Sequence, residues 1–323
     1  MIAFGPIPSR RFGRSLGINN IPPHICSFCC VYCQVGRTTR MSIGRESFYP
    51  PESVFNEVKV RLEELRSRGE TVDYLSFVPD GEPTLDRNLG KTIRLLKSLG
   101  INIAVVTNST LLWDESVRRD LSGADWVSVK VDTVDDGIWR KLNRAHGGLL
   151  LETILEGLLQ FRKSFRHRLT SETMLVDGIN DQPKSLRATA EFLKKLKPDG
   201  VYLALPTRPP AEGGIRPSKK ESIETALKIF KAKGLKAECL FEEEVSGFGH
   251  SQSVAGDIIG IVSVHPMSEQ AMREYLREAK ADWSVVEALL HQGKLKFQEY
   301  DGKKFYKAVI LKRPPKSPLT KTH

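Results

Sequence analysis

The sequence predicts an α/β protein: parallel βαβ units followed by a smaller C-terminal domain. Three features predict it. Short apolar, β-rich runs alternate with runs of helical period every ~25–35 residues, the pattern of parallel strands joined by crossover helices. Helical runs end on glycine, as at Gly69 and Gly100. After residue 256 the alternation stops, and helical segments lead into a hairpin signal at Asp301-Gly302.

RSLGIN (14–19) reads as the first strand. SVFNEVKVRLEELRSRG (53–69) has apolar residues at helical spacing, and YLSFV (74–78) is the second strand. NLGKTIRLLKSLG (88–100) is helical and INIAVVTN (101–108) a strand, while SVRRDLSG (116–123) is a short helix before the strand WVSVKVD (126–132). Helix 150–165 precedes strand 169–176, and helix 185–197 precedes strand 200–207. Helix 221–234 is followed by KAECLF (236–241), an edge-strand candidate.

GFGHSQSVAG (247–256) is rich in Gly and Ser and reads as a linker. The apolar run DIIGIVSVHP (257–266) and the helical segments 269–279 and 283–293 follow, then strands 294–300 and 303–311. Ser284 and Glu287 have capping-box spacing, with Asp282 as a rival cap. Three helices and a hairpin resemble a winged helix, with the hairpin as wing. The expected division is an α/β body over 1–245, a linker over 246–256, a winged-helix-like domain over 257–312 and a disordered tail over 313–323.

At 323 residues the chain can bury a sizeable core without staples. Hydrophobic residues make up 40% and charged residues 27%, which fits a soluble globular protein. No stretch approaches the roughly 18 apolar residues of a membrane helix. MIAFGPIPSRR lacks the order of a secretory signal, so a cytoplasmic enzyme is the expected class. The net charge of +10 is uneven: +6 over residues 1–45, +5 over 268–323 and −1 between them. Two basic ends around a neutral body point to an anionic partner; a solvated basic surface is the plain alternative.

Four of the five cysteines, Cys26, Cys29, Cys30 and Cys33, fall in HICSFCCVYC. Without a secretory signal, such a cluster points to metal or redox chemistry rather than disulfides. Cys26, Cys30 and Cys33 give C-x3-C-x2-C, whereas Cys26, Cys29 and Cys33 give C-x2-C-x3-C. Zinc would need a fourth ligand such as His24. Three thiolates in one loop can also hold three irons of a [4Fe–4S] cluster and leave the fourth open. Cys239 stands alone and reads as a small buried residue.

The C-x3-C-x2-C spacing, with Tyr32 before the last cysteine, resembles the signature of the radical SAM superfamily. The resemblance covers about residues 1–245 and implies a partial (β/α)6 TIM-like barrel. It implies a [4Fe–4S] cluster on Cys26, Cys30 and Cys33, with S-adenosylmethionine on the open iron. Reductive cleavage would then give methionine and a 5′-deoxyadenosyl radical, with electrons from a flavodoxin- or ferredoxin-like donor. Cys29 becomes the extra cysteine, either an apolar filler or a hydrogen donor.

Ligands of such folds gather at the C-terminal ends of the strands. PDGEPTL (79–85) resembles the family's Gly-Gly-Glu-type motif at Gly81 and Glu82, with Asp80 in place of the first glycine. Asn108, Lys130 and Asp132 stand where relatives touch the methionine, carboxylate and ribose parts, and residues 203–207, around Leu205, where backbone meets adenine. Tyr32 joins this cofactor set. An ammonium suits a carboxylate and an acid suits ribose hydroxyls. Plainer readings are a turn for Glu82, a cap for Asn108 and an ion pair for Lys130 and Asp132. Asp177 and Asp181 around Gly178 read as a turn, and Asn143, Arg144 and His146 as cavity lining or a helix end.

GPIPSRRFGRSLGINNIPP (5–23) is similar to a branch grouped with wyosine-type tRNA-modifying radical enzymes and pyruvate formate-lyase activating enzyme-like proteins. That implies modification of an RNA base, with tRNA as the leading substrate. Arg10, Arg11, Arg14, Arg37 and Arg40 are then expected phosphate contacts, as are Lys294, Lys296, Lys303, Lys304 and Lys307 among Tyr300, Phe305 and Tyr306. One alternative is a radical oxidoreductase or activase for a protein or small molecule, with the C-terminal domain as a docking module. Another is an iron–sulfur or zinc regulator that binds DNA.

Overall fold

Within the strand segments a large aliphatic residue alternates with a small or polar one, so one sheet face can be buried while the other encloses space. The computed structural model describes residues 1–240, 248–249 and 253–309. It opens with an antiparallel pair, β1 (Ala3–Ser9) and β2 (Gly13–Ile18). A parallel clip, β3 (Ile25–Cys26) with β4 (Arg40–Met41), folds the next loop back on itself. There follow α1 (Pro51–Arg66), β5 (Tyr74–Phe77), α2 (Leu89–Lys97), β6 (Asn102–Thr107), α3 (Glu115–Leu121) and β7 (Trp126–Lys130). Next come α4 (Asp136–Asn143), α5 (Leu151–Ser164), β8 (Arg168–Met174), α6 (Pro183–Leu196), β9 (Gly200–Ala204), α7 (Lys220–Ala232) and β10 (Ala237–Leu240).

The sheet order is β1-β2-β5-β6-β7-β8-β9-β10, parallel throughout except for β1. The expected strands are present in the expected order. Leu16, Leu75, Ile103, Val127, Leu169 and Val201 are fully buried and form the main core with the helices. Their neighbours Ser15, Gly17, Ser76, Ala104, Ser128 and Thr170 turn the other way, and Phe12, Trp126 and Tyr202 fill one end of that inner face. No ladder among the described residues joins β10 to β1. Phe4 and Ile7 of β1 and Leu240 of β10 instead border one cavity of about 220 Å³. The partial barrel is therefore an open parallel sheet, with small inner residues leaving room inside.

The chain then forms α8 (Val254–Val264), β11 (Met267–Ser268), α9 (Glu269–Glu278), α10 (Ser284–His291), β12 (Leu295–Tyr300) and β13 (Lys303–Ala308). The last three strands order as β11-β13-β12, antiparallel, over a second core of Ile258, Ile261, Met272, Tyr275, Val286 and Tyr306. Asp301 (φ 50°) and Gly302 (φ 72°) make the expected tight turn. No helix among the described residues is long and apolar enough to cross a membrane.

Four features depart from expectation. β1 was not expected; it is an edge strand, where Pro6 and Pro8 leave no inner ladder bond unmade. α4 was not expected either; it is only eight residues long and buries Trp139, Leu142 and Asn143. α8 starts at Val254, with the Ser253 hydroxyl accepting from the Gly256 N–H at 3.3 Å, so the expected linker is partly helix. Ser284 does not cap α10; Asp282 Oδ1 accepts the Ser284 N–H at 2.9 Å. The expected tail, 313–323, lies outside the described residues, as do parts of the linker.

Buried polar contacts hold the C-terminal unit on the sheet. Arg61 of α1 donates to the Gly5 carbonyl at 2.7 Å and pairs with Asp257 of α8 at 2.9 Å. Tyr300 Oη reaches the Pro206 carbonyl at 2.7 Å and Lys307 Nζ the Pro209 carbonyl at 2.8 Å. Removing one member of a buried pair costs up to about 3–5 kcal/mol, and less here because Glu64 also pairs with Arg61 at 3.1 Å. Asp257→Ala is expected to lower the urea midpoint accordingly, and Asp257→Leu with Arg61→Met to recover much of the loss. An unchanged midpoint in Asp257→Ala would show that the pair does not hold the unit.

Candidate active site around the cysteine loop

Parallel strands deliver their C-terminal ends to one rim, and the cysteine loop lies across it. His24 N–H donates to the Asp80 carbonyl at 2.6 Å and Glu82 N–H to the Ile25 carbonyl at 3.1 Å. The β3–β4 clip closes the loop's base. On the far side, Cys29 N–H and Val31 N–H donate to the Asn143 and Leu142 carbonyls at 3.0 and 2.9 Å. These carbonyls end α4, where a helix lacks its own donors. The helix missed in the sequence thus supports the cysteines.

Gly81 is required by contact: a Cβ there would stand 2.1 Å from the Ile25 carbonyl oxygen. Glu82 is fully buried and turned inward. Its Oε1 accepts from Thr84 N–H (3.1 Å), Thr84 Oγ1 (2.5 Å) and Thr107 Oγ1 (2.6 Å), and its Oε2 from Asn108 N–H (2.7 Å). Burial pushes its carboxyl up, against those bonds. Asn108 Nδ2 reaches Ser27 Oγ at 2.8 Å and Cys26 Sγ at 3.5 Å. Asp80 is buried with Oδ1 unpartnered, and burial raises its carboxyl to about 7.

Asp132 is a second hub. Its Oδ2 accepts from Tyr32 Oη and, at 2.7 Å, from Asn143 Nδ2, and its Oδ1 from Met174 N–H at 2.8 Å. The Asn143 amide also reaches Cys30 Sγ at 3.5 Å. Tyr32 is buried, with Lys130 Nζ 5.0 Å from its ring centroid. Lys130 pairs with Glu172 of β8 at 2.9 Å rather than with Asp132, and Glu172 pairs with Arg11 at 2.8 Å. Burial opposes the Glu172 charge, but Lys130 and Arg11 hold its carboxyl down at about 2. Sequence reasoning missed Glu172; the available signal was a charge inside a buried strand. Leu205 is half-buried at the β9 end, its carbonyl accepting the Thr207 N–H at 2.9 Å.

The expected phosphate contacts separate. Arg11 is inside the sheet, and Arg14 pairs with Glu70 at the start of β2, the opposite end from the cysteines. Arg40 pairs with Glu46, whereas Arg10 lines the 220 Å³ cavity with Gln34 and His265. Arg37 and Arg144 share Glu212 at the rim, at 2.9 and 2.7 Å. Lys294, Lys296 and Lys303 are exposed. Lys304 lies over the Phe297 ring at 4.1 Å on the hairpin face that carries Leu295 and Tyr306 into the second core, while Lys307, Phe305 and Tyr300 are buried on the other face. Asp177 and Asp181 form the turn at Gly178, and His146 Nδ1 accepts the Gly148 N–H at 3.1 Å.

The donor set suits the implied cluster. Cys26, Cys30 and Cys33 lie in one another's electrostatic fields. Burial pushes their thiols up, Cys30 to about 12, so they ionise only against a strong positive charge such as iron. Donors already face the sulfurs: Phe28 N–H and Asn108 at Cys26, Asn143 at Cys30, and Val35 and Gly36 N–H at Cys33. Among the described residues no trio of His, Cys, Asp or Glu is tight enough to share a single ion. Three thiolates in one loop, each with a donor on its sulfur, suit three irons of a cubane, which takes one thiolate per iron.

Residues 20–193 match the model of the Radical SAM superfamily. A UPF0026 protein of Methanocaldococcus jannaschii is 47% identical over 315 residues, 97% of each chain. A probable dual-specificity RNA methyltransferase RlmN of Thermotoga maritima is 29% identical over 66% of this chain and 61% of its own. A radical SAM methyltransferase from Sphaerobacter thermophilus superposes with a TM-score of 0.55 over 70% of this chain and 66% of its own. At 17% identity that likeness is one of fold.

Glu172→Gln would leave Lys130 and Arg11 without their counter-charge. The depressed Glu172 carboxyl contributes stability above its ordinary value of 4.5 and loses it as pH falls toward 2. The variant is therefore expected to be less stable at pH 7 by on the order of 3 kcal/mol, with the gap closing between pH 4.5 and 2. Urea midpoints of both proteins across that range measure it. A gap independent of pH would remove the ionised network.

Proposed function

The chain belongs to the radical SAM superfamily and to the UPF0026 proteins, and from that premise we propose that it modifies an RNA base. The family's cofactors are a [4Fe–4S] cluster and S-adenosylmethionine. Together they supply, on reduction, a carbon-centred radical able to abstract a hydrogen atom. Cys26, Cys30 and Cys33 would hold the cluster, since donors already face their sulfurs. Asn108 and Asn143 would tune the bound thiolates through their amides. Glu82, Tyr32 and Asp132 are engaged within the protein and would act by fixing the strand ends. Lys130, Gly81 and Leu205 border the same rim and remain the S-adenosylmethionine contacts of this reading.

The observation that carries the RNA reading is the meeting of the two basic chain ends. Gln34 Nε2 donates to the Val264 carbonyl at 2.8 Å, and Arg10 lines one cavity with His265. Lys296 lies in the field of His24 and Lys307 in that of Cys33. Of the two basic ends, Arg37 on the cysteine loop and Lys296 and Lys307 on the hairpin thus lie at one radical site, a cationic rim that suits an anionic macromolecule. The likeness to an RNA methyltransferase supports the same class. The C-terminal helices and three-stranded sheet are read as a winged-helix-like unit, placed against the site instead of tethered beside it.

In reconstituted protein, Cys26→Ser, Cys30→Ser and Cys33→Ser are each expected to lose bound iron, while Cys29→Ser keeps about four irons per chain. Iron retained in Cys30→Ser but lost in Cys29→Ser would reverse the assignment. With reduced holoenzyme and S-adenosylmethionine, total tRNA is expected to raise 5′-deoxyadenosine formation, and high salt to abolish the rise. Formation that is equal with and without RNA sinks the RNA reading, leaving a protein or small molecule as substrate.

A further inference from the structure

The β12–β13 hairpin has two faces of different charge design. On the outer face, the one turned away from the strand ends and packed through Leu295 and Tyr306 on the C-terminal core, Glu299 stands opposite Lys304 near the hairpin tip, an opposite-charge pair. On the other face Lys296 stands directly opposite Lys307. Like charges at that spacing repel, and a sheet gains nothing from them unless an anion comes between. The Lys296 face is the one turned to the strand ends: Tyr300, on the same face by alternation, reaches the Pro206 carbonyl, and Lys307 reaches that of Pro209.

Among the described residues the pair has no counter-charge. Lys307 is 8% exposed and donates to the neutral Pro209 carbonyl. Burial, then Lys296, lower its ammonium to about 8. Lys296 is exposed and has no ion pair among the described residues. The nearby Glu212 is already shared by Arg37 and Arg144. Across the gap, on the cysteine loop, His24 Nδ1 contacts the Arg37 carbonyl at 2.8 Å while its buried Nε2 has no partner.

We propose that Lys296 and Lys307 grip a phosphate group of the substrate at this lip, seating its ester against the cysteine loop. The hairpin is then a wall of the active site, and its phosphate contact faces inward. The site rests on the proposed RNA substrate for the identity of the ester but not for the existence of the anion site. A lysine pair on a hairpin offers point charges, which suit phosphate without reading bases.

The test uses the full-length, cluster-loaded chain with two probes, a short single-stranded oligoribonucleotide and adenosine monophosphate. Lys296→Gln is expected to weaken both about fivefold at low salt and to lower the oligonucleotide's salt slope by about 0.7. Lys304→Gln, on the outer face, is expected to change either by less than about twofold. Lys296→Arg should restore binding. Because Lys307 is buried, Lys307→Gln is judged beside the exposed Lys296→Gln, with the circular dichroism of both recorded. Mononucleotide binding that depends on Lys296, with no oligonucleotide binding by any form, supports the site and sinks the RNA reading. Unchanged binding of both probes in folded Lys296→Gln overturns the site, and oligonucleotide binding that persists there leaves the RNA reading standing.

Discussion

The cysteine loop rests directly on the backbone at Gly81. There is no room for a side chain between them, since a Cβ would meet the Ile25 carbonyl oxygen at 2.1 Å. The neighbouring bonds, His24 to Asp80 and Glu82 to Ile25, then fix the loop's height above the strand ends. Glu82 turns inward and ties the β5 end to the β6 end through Thr107 and Asn108. Asn108 in turn touches Cys26. A single close approach thereby sets where the first thiol points.

Inside the sheet a different constraint operates. Midway along β2, β5, β6 and β7 the inward residues Ser15, Gly17, Ser76, Ala104 and Ser128 are small, which leaves volume in place of a packed barrel core. Charged groups can enter that space only in compensated sets. Arg11, Glu172 and Lys130 form such a set, and Asp132 is compensated by Tyr32, Asn143 and Met174 N–H. The same buried Asn143 supports Cys30, so the ionic interior and the cysteine loop share one helix end. Residues that would contact a cofactor and those that position them are therefore hard to separate by type alone.

The C-terminal unit changes the meaning of the net charge. Its anchors at Arg61–Asp257, Gln34–Val264 and Lys307–Pro209 place one hairpin face over the rim. Two basic chain ends, far apart in sequence, become neighbours. The face packed on the C-terminal core pairs Glu299 with Lys304, while the face over the rim sets Lys296 opposite Lys307.

Much of this was legible in the sequence. Seven parallel strands in order, the crossover helices, the Asp301-Gly302 turn and the clustered thiols all follow from periodicity, turn chemistry and spacing, which act over a few residues. Gly81, Asn108 and Asp132 were singled out by the motif resemblance, and the parallel sheet brings the strand ends that carry them to one rim. Other features were decided by contacts between distant segments. β1 is stable only as an edge beside β2, and α4 is held in part because the cysteine loop satisfies its last carbonyls. Arg14 looked equivalent to Arg11, yet one faces Glu70 below the sheet and the other Glu172 within it. Lys296 and Lys304 looked equivalent on a strand ladder, until pairing and docking put them on opposite faces. Local pattern determines which elements form; only tertiary register decides which neighbour compensates a charge, because that neighbour lies tens or hundreds of residues away.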